Sequence, residues 1–254
     1  RVAGLSRRNA RTKHRRFLVE GPQGVREAVR CAAEHVHDVY LTPETAERHG
    51  EILAEAEAAG LHTHMAAPEV VGAMSTDAQG VIAVVGTEAL AGGAGLADVL
   101  TGAHLVAVLT QTQDPGNAGT IIRTADAAGA DAVVLVRGGV DPTGPKVVRA
   151  TAGSLFHLPV LAGEGLEAVV EALRSAGLQL LAADGRGRTD LFDADGLLAA
   201  PTAWMLGNEA RGLAPGVVSR ADTVVSIPLY GRAESLNVAS AAALCLYASA
   251  RAQR

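Results

Sequence analysis

Three polar loops of this chain combine residue types that could bind an anionic or nucleotide-like ligand. The first loop places the Asn117 amide at a predicted helix start and the Arg123 guanidinium nearly two turns later. Because Arg123 lies between Ile122 and Thr124 in an otherwise apolar helix, we expect its charge to have an anionic partner, from the protein or from a ligand. A structural salt bridge is the alternative explanation.

The second loop spans residues 207–212 and has a glycine at each end. Gly207 and Gly212 allow a tight turn and a close approach of the backbone to a ligand. Between them, Glu209 and Arg211 supply opposite charges. An ordinary turn with a surface ion pair is the alternative explanation.

The third loop connects a predicted strand that ends at Ile227 to an Ala-rich helix over residues 238–250. Pro228 removes a backbone donor and ends the strand. Either Ser235 or Asn237 is placed to cap the helix. The helix is apolar on all sides, which predicts burial against a sheet or a partner chain, while the polar residues at its start predict a ligand site. A capped core helix without a ligand is the alternative explanation.

All three loops follow strands of a predicted second domain, residues 104–254. The sequence predicts strands at 104–109, 132–136, 158–161, 178–182, 202–206 and 223–227, with helices between them. Continuous apolar strands that alternate with helices predict a mainly parallel sheet covered on both faces. Because ligands of open α/β sheets bind beyond the carboxyl ends of the strands, the three loops are expected at a binding site.

The first part of the chain is predicted to form a smaller α/β domain, residues 1–90, and Gly-rich residues 91–103 a linker with one short helix. Residues 1–16 are predicted to be a basic arm, because seven basic side chains precede Glu20, the first acidic residue. We interpret the arm as a segment that contacts phosphates, and a frayed, solvated terminus is the alternative. The side chains expected to make these contacts are Arg7, Arg8, Arg11, Lys13, Arg15 and Arg16.

Composition restricts the class of protein. The 254 residues are 48% hydrophobic and 19% charged, which indicates a sizeable folded core. A net charge of −5 argues against an overall basic nucleic-acid binder, and 3% aromatic residues leave few stacking platforms for single strands. No apolar run is long enough to span a membrane, and no secretory signal begins the sequence.

Cysteine and histidine usage predicts neither disulfides nor a metal. Cys31 and Cys245 are far apart in predicted apolar helices, which favours a reducing cytoplasm. Histidine pairs occur at 35/37 and 62/64, but no cysteine or carboxylate cluster accompanies them at ligand spacing. We therefore interpret them as histidines on strand faces.

Together the three loops resemble a known family. Asn-x-Gly-x-x-x-Arg at 117–123, Gly-Asn-Glu-x-x-Gly at 207–212 and Ile-Pro…Ser-Leu-Asn-Val at 227–238 are similar, in order and spacing, to the three motifs of the SpoU (TrmH-like) RNA ribose methyltransferases. The resemblance covers roughly residues 104–250. Residues 1–90 look like the smaller substrate-binding domain that precedes the catalytic domain in ribosomal-RNA members.

The resemblance implies a fold, a cofactor and an assembly. The fold is an α/β, mainly parallel sheet whose C-terminal segment forms a deep trefoil knot, preceded by a smaller α/β RNA-binding domain. The cofactor is S-adenosylmethionine, and the assembly is a homodimer with the last helix at its interface. The implied cofactor-binding residues are Leu206, Gly207, Asn208, Gly212, Ile227 and Leu236.

The implied reaction transfers a methyl group to a ribose 2′-hydroxyl of RNA. Since a guanidinium is essentially never deprotonated, we expect Arg123 to bind the target phosphate and to stabilise the developing alkoxide. Asn117 would orient Arg123 or the ribose. Ser235 and Asn237 would position the hydroxyl and the helix start, and Glu209 would hold an arginine or a cofactor group.

The N-terminal domain favours ribosomal RNA as the substrate. Two other functions stay open: an enzyme that modifies transfer RNA or a base on the same scaffold, and a non-catalytic RNA-binding protein that kept the fold.

Overall fold

The computed structural model describes residues 2–208 and 212–254. The chain folds as two compact units. The first comprises the residues up to Gly93 together with Thr143–His157, and the second comprises Ala94–Pro142 and Leu158–Arg254.

The strands and helices alternate along most of the chain. The strands are β1 (Arg16–Glu20), β2 (Val36–Leu41), β3 (His62–Met65), β4 (Val81–Gly86), β5 (Leu105–Leu109), β6 (Ala132–Leu135), β7 (Val160–Ala162), β8 (Gln179–Ala183), β9 (Thr189–Asp190), β10 (Thr202–Leu206) and β11 (Thr223–Ser226). The helices are α1 (Arg8–His14), α2 (Pro22–Cys31), α3 (Pro43–Arg48), α4 (Gly50–Ala58), α5 (Pro68–Met74), α6 (Leu96–Leu100), α7 (Pro115–Ala128), α8 (Pro145–Thr151), α9 (Leu166–Ser175), α10 (Asp195–Leu198), α11 (Pro215–Val218) and α12 (Val238–Ala252).

The first unit contains a mixed four-stranded sheet in the order β1-β4-β2-β3. Strand β4 is antiparallel to both β1 and β2, whereas β2 and β3 are parallel. All six residues of β4 are buried, as expected for an apolar strand inside a sheet.

The N-terminal segment, predicted as a basic arm with a frayed terminus as the alternative, has regular structure. Val2–Ser6 forms a 3-10 turn that α1 follows directly. Leu5 is 4% exposed and packs in a core cluster with Leu18 and Ile82, against which Val2 and Ala10 also pack. These apolar anchors are too widely spaced among the basic residues to give a clear helical pattern.

Residues 143–157 pack with the first unit, which differs from the predicted domain of residues 104–254. The Arg149 guanidinium pairs with the Glu20 carboxylate of β1. The Phe156 ring stacks on Phe17 with the ring centroids 6.4 Å apart. These interactions join residues far apart in sequence, and local patterns do not report such pairings.

The short helix predicted within residues 91–103 is confirmed as α6, but the segment is more than a linker. Its helix, α6, is part of the hydrophobic core of the second unit, where Leu100 is fully buried and Ala103 is 6% exposed. The boundary between the units therefore falls between Gly93 and Ala94 rather than across the whole of residues 91–103.

The second unit contains a seven-stranded sheet in the order β7-β6-β5-β10-β8-β11-β9. Every pair of neighbouring strands is parallel. Strands β5, β6 and β10 are buried along their whole length. The predicted mainly parallel sheet is confirmed, and β5, β10, β8 and β11 end at the edge where the polar loops begin.

Helix α7 begins at Pro115, slightly before the helix start predicted at Asn117. Asp114 is its N-cap and accepts a hydrogen bond from the Asn117 backbone at 2.7 Å, and Pro115 occupies the first turn. An aspartate followed by proline is a helix-start signal. The glycines and other small residues that follow Pro115 have no apolar helical period, so the pattern of the sequence does not show this helix start.

Helix α12 packs one face against strands of the sheet, in agreement with the predicted burial against a sheet, and its other face is partly exposed. Ala242, Cys245 and Leu246 are fully buried, whereas Leu244 is 38% and Tyr247 is 52% exposed. Burial raises the pKa of the Cys245 thiol above its usual range. Cys31 ends α2 and is exposed, contrary to its predicted apolar setting.

Within the described residues, no helix combines the length and the hydropathy that a membrane crossing requires.

Candidate active site

The starts of α7 and α12 are joined by two asparagines that lie 120 residues apart in sequence. The Asn237 Nδ2 donates to the Asn117 Oδ1 at 3.0 Å. The Asn237 Oδ1 accepts from the backbone N–H of Ala239 at 2.8 Å and of Ser240 at 3.4 Å, which makes Asn237 the N-cap of α12. Of the two residues predicted to cap the helix, Ser235 and Asn237, it is Asn237 that caps α12. The same side-chain amide also donates a hydrogen bond to Asn117 of the first motif.

Arg123 lies on the exposed side of α7, so its charge is not enclosed by the apolar face of that helix. Ile121, Ile122 and Ala125 are buried on the other side. No described residue forms a hydrogen bond or an ion pair with the Arg123 side chain. The structural salt bridge is therefore not found among the described residues, and the guanidinium is available to an anion outside the chain.

The loop after β10 is tied to the end of β5. Asn208 and Gly212 exchange two backbone hydrogen bonds of 2.9 Å each. The Leu206 carbonyl accepts from both the backbone N–H and the hydroxyl of Thr110, at 3.0 and 2.9 Å. The first two bonds close the loop after β10, and the bonds to Leu206 tie the end of β10 to Thr110, directly after β5.

Gly207 has no room for a side chain. An added Cβ would lie 2.5 Å from the Gly212 carbonyl carbon and 2.8 Å from the Leu213 nitrogen. The glycine is required because the backbone of the loop folds back on itself here. The tight turn predicted at Gly207 agrees with this crowding, and the close approach of the backbone to a ligand stays a prediction.

A cavity of about 340 Å³ lies beyond the ends of β8, β10 and β11. Its lining residues are Ala183, Asp184, Gly185, Arg186, Gly207, Asn208, Gly212, Val225, Ile227, Leu229, Glu234, Ser235, Leu236, Val238 and Ala241. Apolar side chains form one part of the wall, and carboxylate, hydroxyl and amide groups form the other. Such a wall suits a ligand with an apolar ring and a polar tail.

Most predicted cofactor-binding residues line this cavity. Gly207, Asn208, Gly212, Ile227 and Leu236 are among the lining residues, as is the predicted catalytic Ser235. Leu206 does not line it; its side chain is 1% exposed and its carbonyl bonds to Thr110. Glu209 lies outside the described residues.

The sequence interpretation missed the turn that follows β8. The Arg186 guanidinium donates to both carboxylate oxygens of Asp184, at 2.8 Å each. This hydrogen bonding, with that of the backbone, holds the pKa of Asp184 below its usual range. An added Cβ on Gly187 would lie 2.6 Å from the Val224 carbonyl oxygen, so this turn packs closely on β11. The signal was an Asp-Gly-Arg-Gly run directly after a buried strand, which is where a parallel sheet places its ligands.

The predicted RNA-binding residues divide into exposed and buried groups. Arg7, Arg8, Lys13, Arg15 and Arg16 are exposed. Arg11 is 5% exposed and donates to the Leu5 and Ser6 carbonyls and to the Thr143 hydroxyl. Arg11 is therefore a structural residue, and the prediction that it contacts RNA is withdrawn.

Potential metal ligands come together in the first unit, outside the loops described above. Single ligand atoms of Glu27, Cys31 and His157 lie within 4.8 Å of one another. Glu27 is also bonded by His157 and flanked by Arg26 at 3.4 Å. A nearby guanidinium opposes cation binding, so these side chains serve to hold α2 against the segment that ends at His157.

The fold and the site define an α/β protein with a candidate ligand cavity at the carboxyl edge of a parallel sheet. Residues 104–247 match the model of the SpoU rRNA Methylase family, and residues 18–89 match that of RNA 2′-O ribose methyltransferase substrate binding. Since the first match covers more than half of the chain, the chain belongs to the SpoU rRNA methylase family.

Individual relatives extend over almost the whole chain. The 23S rRNA (guanosine(2553)-2′-O)-methyltransferase RlmP of Bacillus subtilis is 33% identical over 247 residues, which are 96% of this chain and 92% of that protein. The 23S rRNA (guanosine-2′-O-)-methyltransferase RlmB of Bordetella pertussis is 31% identical over 238 residues, 92% of this chain and 96% of RlmB. The crystal structure of the SpoU methyltransferase AviRb from Streptomyces viridochromogenes, in complex with the cofactor AdoMet, has a TM-score of 0.83 and 33% identity, with 98% of this chain and 95% of AviRb covered.

Proposed function

We propose that this chain transfers the methyl group of S-adenosylmethionine to a ribose 2′-hydroxyl of ribosomal RNA. The chain is an S-adenosylmethionine-dependent RNA 2′-O-methyltransferase, in keeping with its family and with relatives named for that reaction on 23S rRNA. The observation that carries the proposal is the Asn117–Asn237 hydrogen bond, because it joins the first and third family motifs beside a cavity that the second and third motifs line.

The cavity residues fit the proposed cofactor. Val225, Ile227 and Leu236 provide an apolar surface for an adenine ring, and the main chain around Gly207 offers N–H and C=O groups to its edges. The cavity volume of about 340 Å³ lies within the usual range for small-ligand sites. Glu234 supplies a carboxylate that can accept from an ammonium group. When bound, S-adenosylmethionine supplies a methyl group that its sulfonium already activates.

Transfer of the methyl group to the ribose oxygen breaks its bond to sulfur, releasing S-adenosylhomocysteine, and the hydroxyl proton leaves to solvent. The protein must therefore align a weak nucleophile and favour loss of its proton. Arg123 is exposed and without an ion pair among the described residues, so it can bind the phosphate next to the target ribose and stabilise the developing alkoxide. Asn117 and Asn237 fix the site through their mutual hydrogen bond, and Ser235 lines the cavity where its hydroxyl can orient the ribose. From its place in the second motif alone, Glu209 is proposed to hold an arginine or a cofactor group.

The exposed basic side chains of the first unit are proposed to hold RNA phosphates. Arg7, Arg8, Lys13 and Arg16 carry this role, while Arg15 pairs with Glu88 at 2.8 Å. Phosphate binding of this kind positions an RNA without reading its sequence.

The assembly is proposed to be a homodimer that forms through α12. Leu244 and Tyr247 leave apolar surface exposed on the side of α12 that faces away from the sheet, and a second copy could cover it. We also retain from the family resemblance the trefoil knot of the C-terminal segment and a cytoplasmic location.

A substrate-choice assay tests the proposed function. The protein is incubated with methyl-labelled S-adenosylmethionine and, separately, with unmodified ribosomal RNA and transfer RNA transcripts. Label in ribosomal RNA supports the proposal, label only in transfer RNA supports the alternative substrate, and RNA binding without label supports a non-catalytic protein.

A further inference from the structure

A second cavity, of about 660 Å³, lies beyond the ends of β5 and β6. We call it the base pocket and define it by Gln111, Gln113, Arg137 and Asn208, with Val136 and Val217. Asn208 lines both this pocket and the cofactor cavity. Gln111 and Gln113 belong to the same loop that leads to Asn117, so the pocket borders the proposed site of methyl transfer.

The polar groups of the base pocket are held in fixed orientations. The Arg137 Nε donates to the Gly163 carbonyl at 2.8 Å, and the Gln113 Nε2 donates to the Gly138 carbonyl at 2.9 Å. These anchors leave the Arg137 Nη groups as donors and the Gln113 Oε1 as an acceptor, and neither bonds to a described residue. The pocket therefore offers a donor pair and an acceptor that are set in place before any ligand binds.

This pattern matches the edge of a keto base. Guanine and uracil each present a carbonyl oxygen next to a ring N–H, so an arginine can donate to the oxygen while a glutamine oxygen accepts from the N–H. Adenine and cytosine present an amino group next to an unprotonated ring nitrogen, which would meet these groups with the wrong polarity. Val136 and Val217, 7% and 3% exposed, provide an apolar surface beside the ring.

We propose that the base pocket binds the unpaired keto base, guanine or uracil, of the nucleotide whose ribose is methylated. This inference rests on the proposed function and adds the specificity of the enzyme for its target base. Arg137 and Gln113 bind the base, while the cofactor cavity and Asn117 form the site of methyl transfer. The base must leave its stack to enter the pocket, as in other enzymes that act on single nucleotides of an RNA.

The test compares Arg137→Ala and Gln113→Leu with Arg174→Ala as a matched control. Arg174 is an exposed arginine of the same unit whose side chain bonds to Asp222 at 3.1 Å, away from the pocket. We expect the two pocket variants to raise the KM for ribosomal RNA by about tenfold or more, the effect of removing one hydrogen-bonded base recognition group. Their affinity for S-adenosylmethionine, measured by calorimetry, should equal that of the wild type and of the control.

Ligand-observed NMR then tests the chemistry of the pocket with the intact protein, saturated with S-adenosylhomocysteine. We expect saturation transfer to GMP or UMP but not to AMP or CMP, and its loss in both pocket variants. Equal transfer to all four nucleotides, or unchanged KM and kcat in both variants, would overturn the inference. If the wild type binds S-adenosylmethionine but methylates no RNA, the proposed function fails, and the selectivity among the four nucleotides still decides the nature of the pocket.

Discussion

The Asn237 Nδ2 lies 3.0 Å from the Asn117 Oδ1, and this hydrogen bond joins the starts of α12 and α7. It connects the first and third motifs of the family directly, since each asparagine belongs to one of them. Asn237 is also the N-cap of α12, whereas Asn117 caps neither helix, since the N-cap of α7 is Asp114.

Substitutions of the two asparagines should therefore lower the stability of the protein to different extents, while both lower its methyl-transfer rate. Asn237→Ala removes the cap and the link, and we expect it to lower the free energy of unfolding by about 1 kcal/mol, the usual cost of a lost N-cap. Asn117→Ala removes the link but leaves the N-cap of α12 in place, and should have a smaller effect on unfolding. Both should lower the methyl-transfer rate. Urea unfolding and single-turnover kinetics measure the two quantities, and equal losses of stability in the two variants would contradict the assigned cap.

Gly207→Ala should abolish binding of S-adenosylmethionine, because the added Cβ would lie 2.5 Å from the backbone of Gly212. Gly185→Ala is the matched control, since Gly185 lines the same cavity and an added Cβ there meets no atom within 4 Å. Calorimetry with S-adenosylmethionine compares the two variants. Normal affinity in Gly207→Ala would show that the loop does not shape the cofactor site.

Arg123→Ala should lower the methyl-transfer rate by about a hundredfold or more, as expected when one electrostatic contribution to the transition state is lost. Its melting temperature should match that of the wild type, because the side chain is exposed and pairs with no described residue. Arg123→Lys should restore little activity, since an ammonium lacks the planar fork of a guanidinium. A folded Ala variant with near-normal turnover would remove Arg123 from the mechanism.

The role of the N-terminal charges should be tested by substitution rather than deletion. Deleting the segment would remove the buried Leu5 and so would perturb folding as well as charge. The triple variant Arg7→Gln, Lys13→Gln, Arg16→Gln should weaken RNA binding and reduce the slope of log Kobs against log salt by about 0.7 to 0.9 for each phosphate that is no longer neutralised. Arg48→Gln, an exposed arginine of the same unit, is the control. An unchanged salt slope in the triple variant would exclude these residues from RNA binding.

The Asp184–Arg186 ion pair should make the fold sensitive to acid. The folded-state pKa of Asp184 is below its unfolded value, so the pair stabilises the protein above the unfolded pKa, and this stability is lost as the pH falls through the folded pKa. Because Arg186 is 72% exposed, solvent screens the pair and its contribution to stability should be small. Melting temperatures from pH 7 to pH 3 should fall less steeply for Asp184→Asn than for the wild type. Parallel curves would contradict the assignment.

The parallel sheet of the second unit could be predicted from the sequence, because its strands are short apolar runs that end in polar loops. It was also sufficient for most of the cavity lining, since Gly207, Ile227 and Ser235 lie within recognisable motifs. It was not sufficient for the position of residues 143–157, which depends on pairings such as Arg149–Glu20 between distant parts of the chain.

Exposure was the other property that local patterns could not provide. Arg11 and Lys13 look alike in a basic run, yet Arg11 is buried and Lys13 is exposed. Arg123 was expected to need a partner within an apolar helix, whereas the helix turns it outward. In each case the side of the helix that meets the core depends on tertiary packing.

The position of the transferred methyl group tests the central claim most directly. Ribosomal RNA is incubated with the protein and methyl-labelled S-adenosylmethionine, digested to nucleosides and analysed by liquid chromatography and mass spectrometry. We predict label in a 2′-O-methylated nucleoside with the wild type and its loss with Arg123→Ala. Label on a base, or none in RNA from a protein that binds S-adenosylmethionine, would contradict ribose 2′-O methylation.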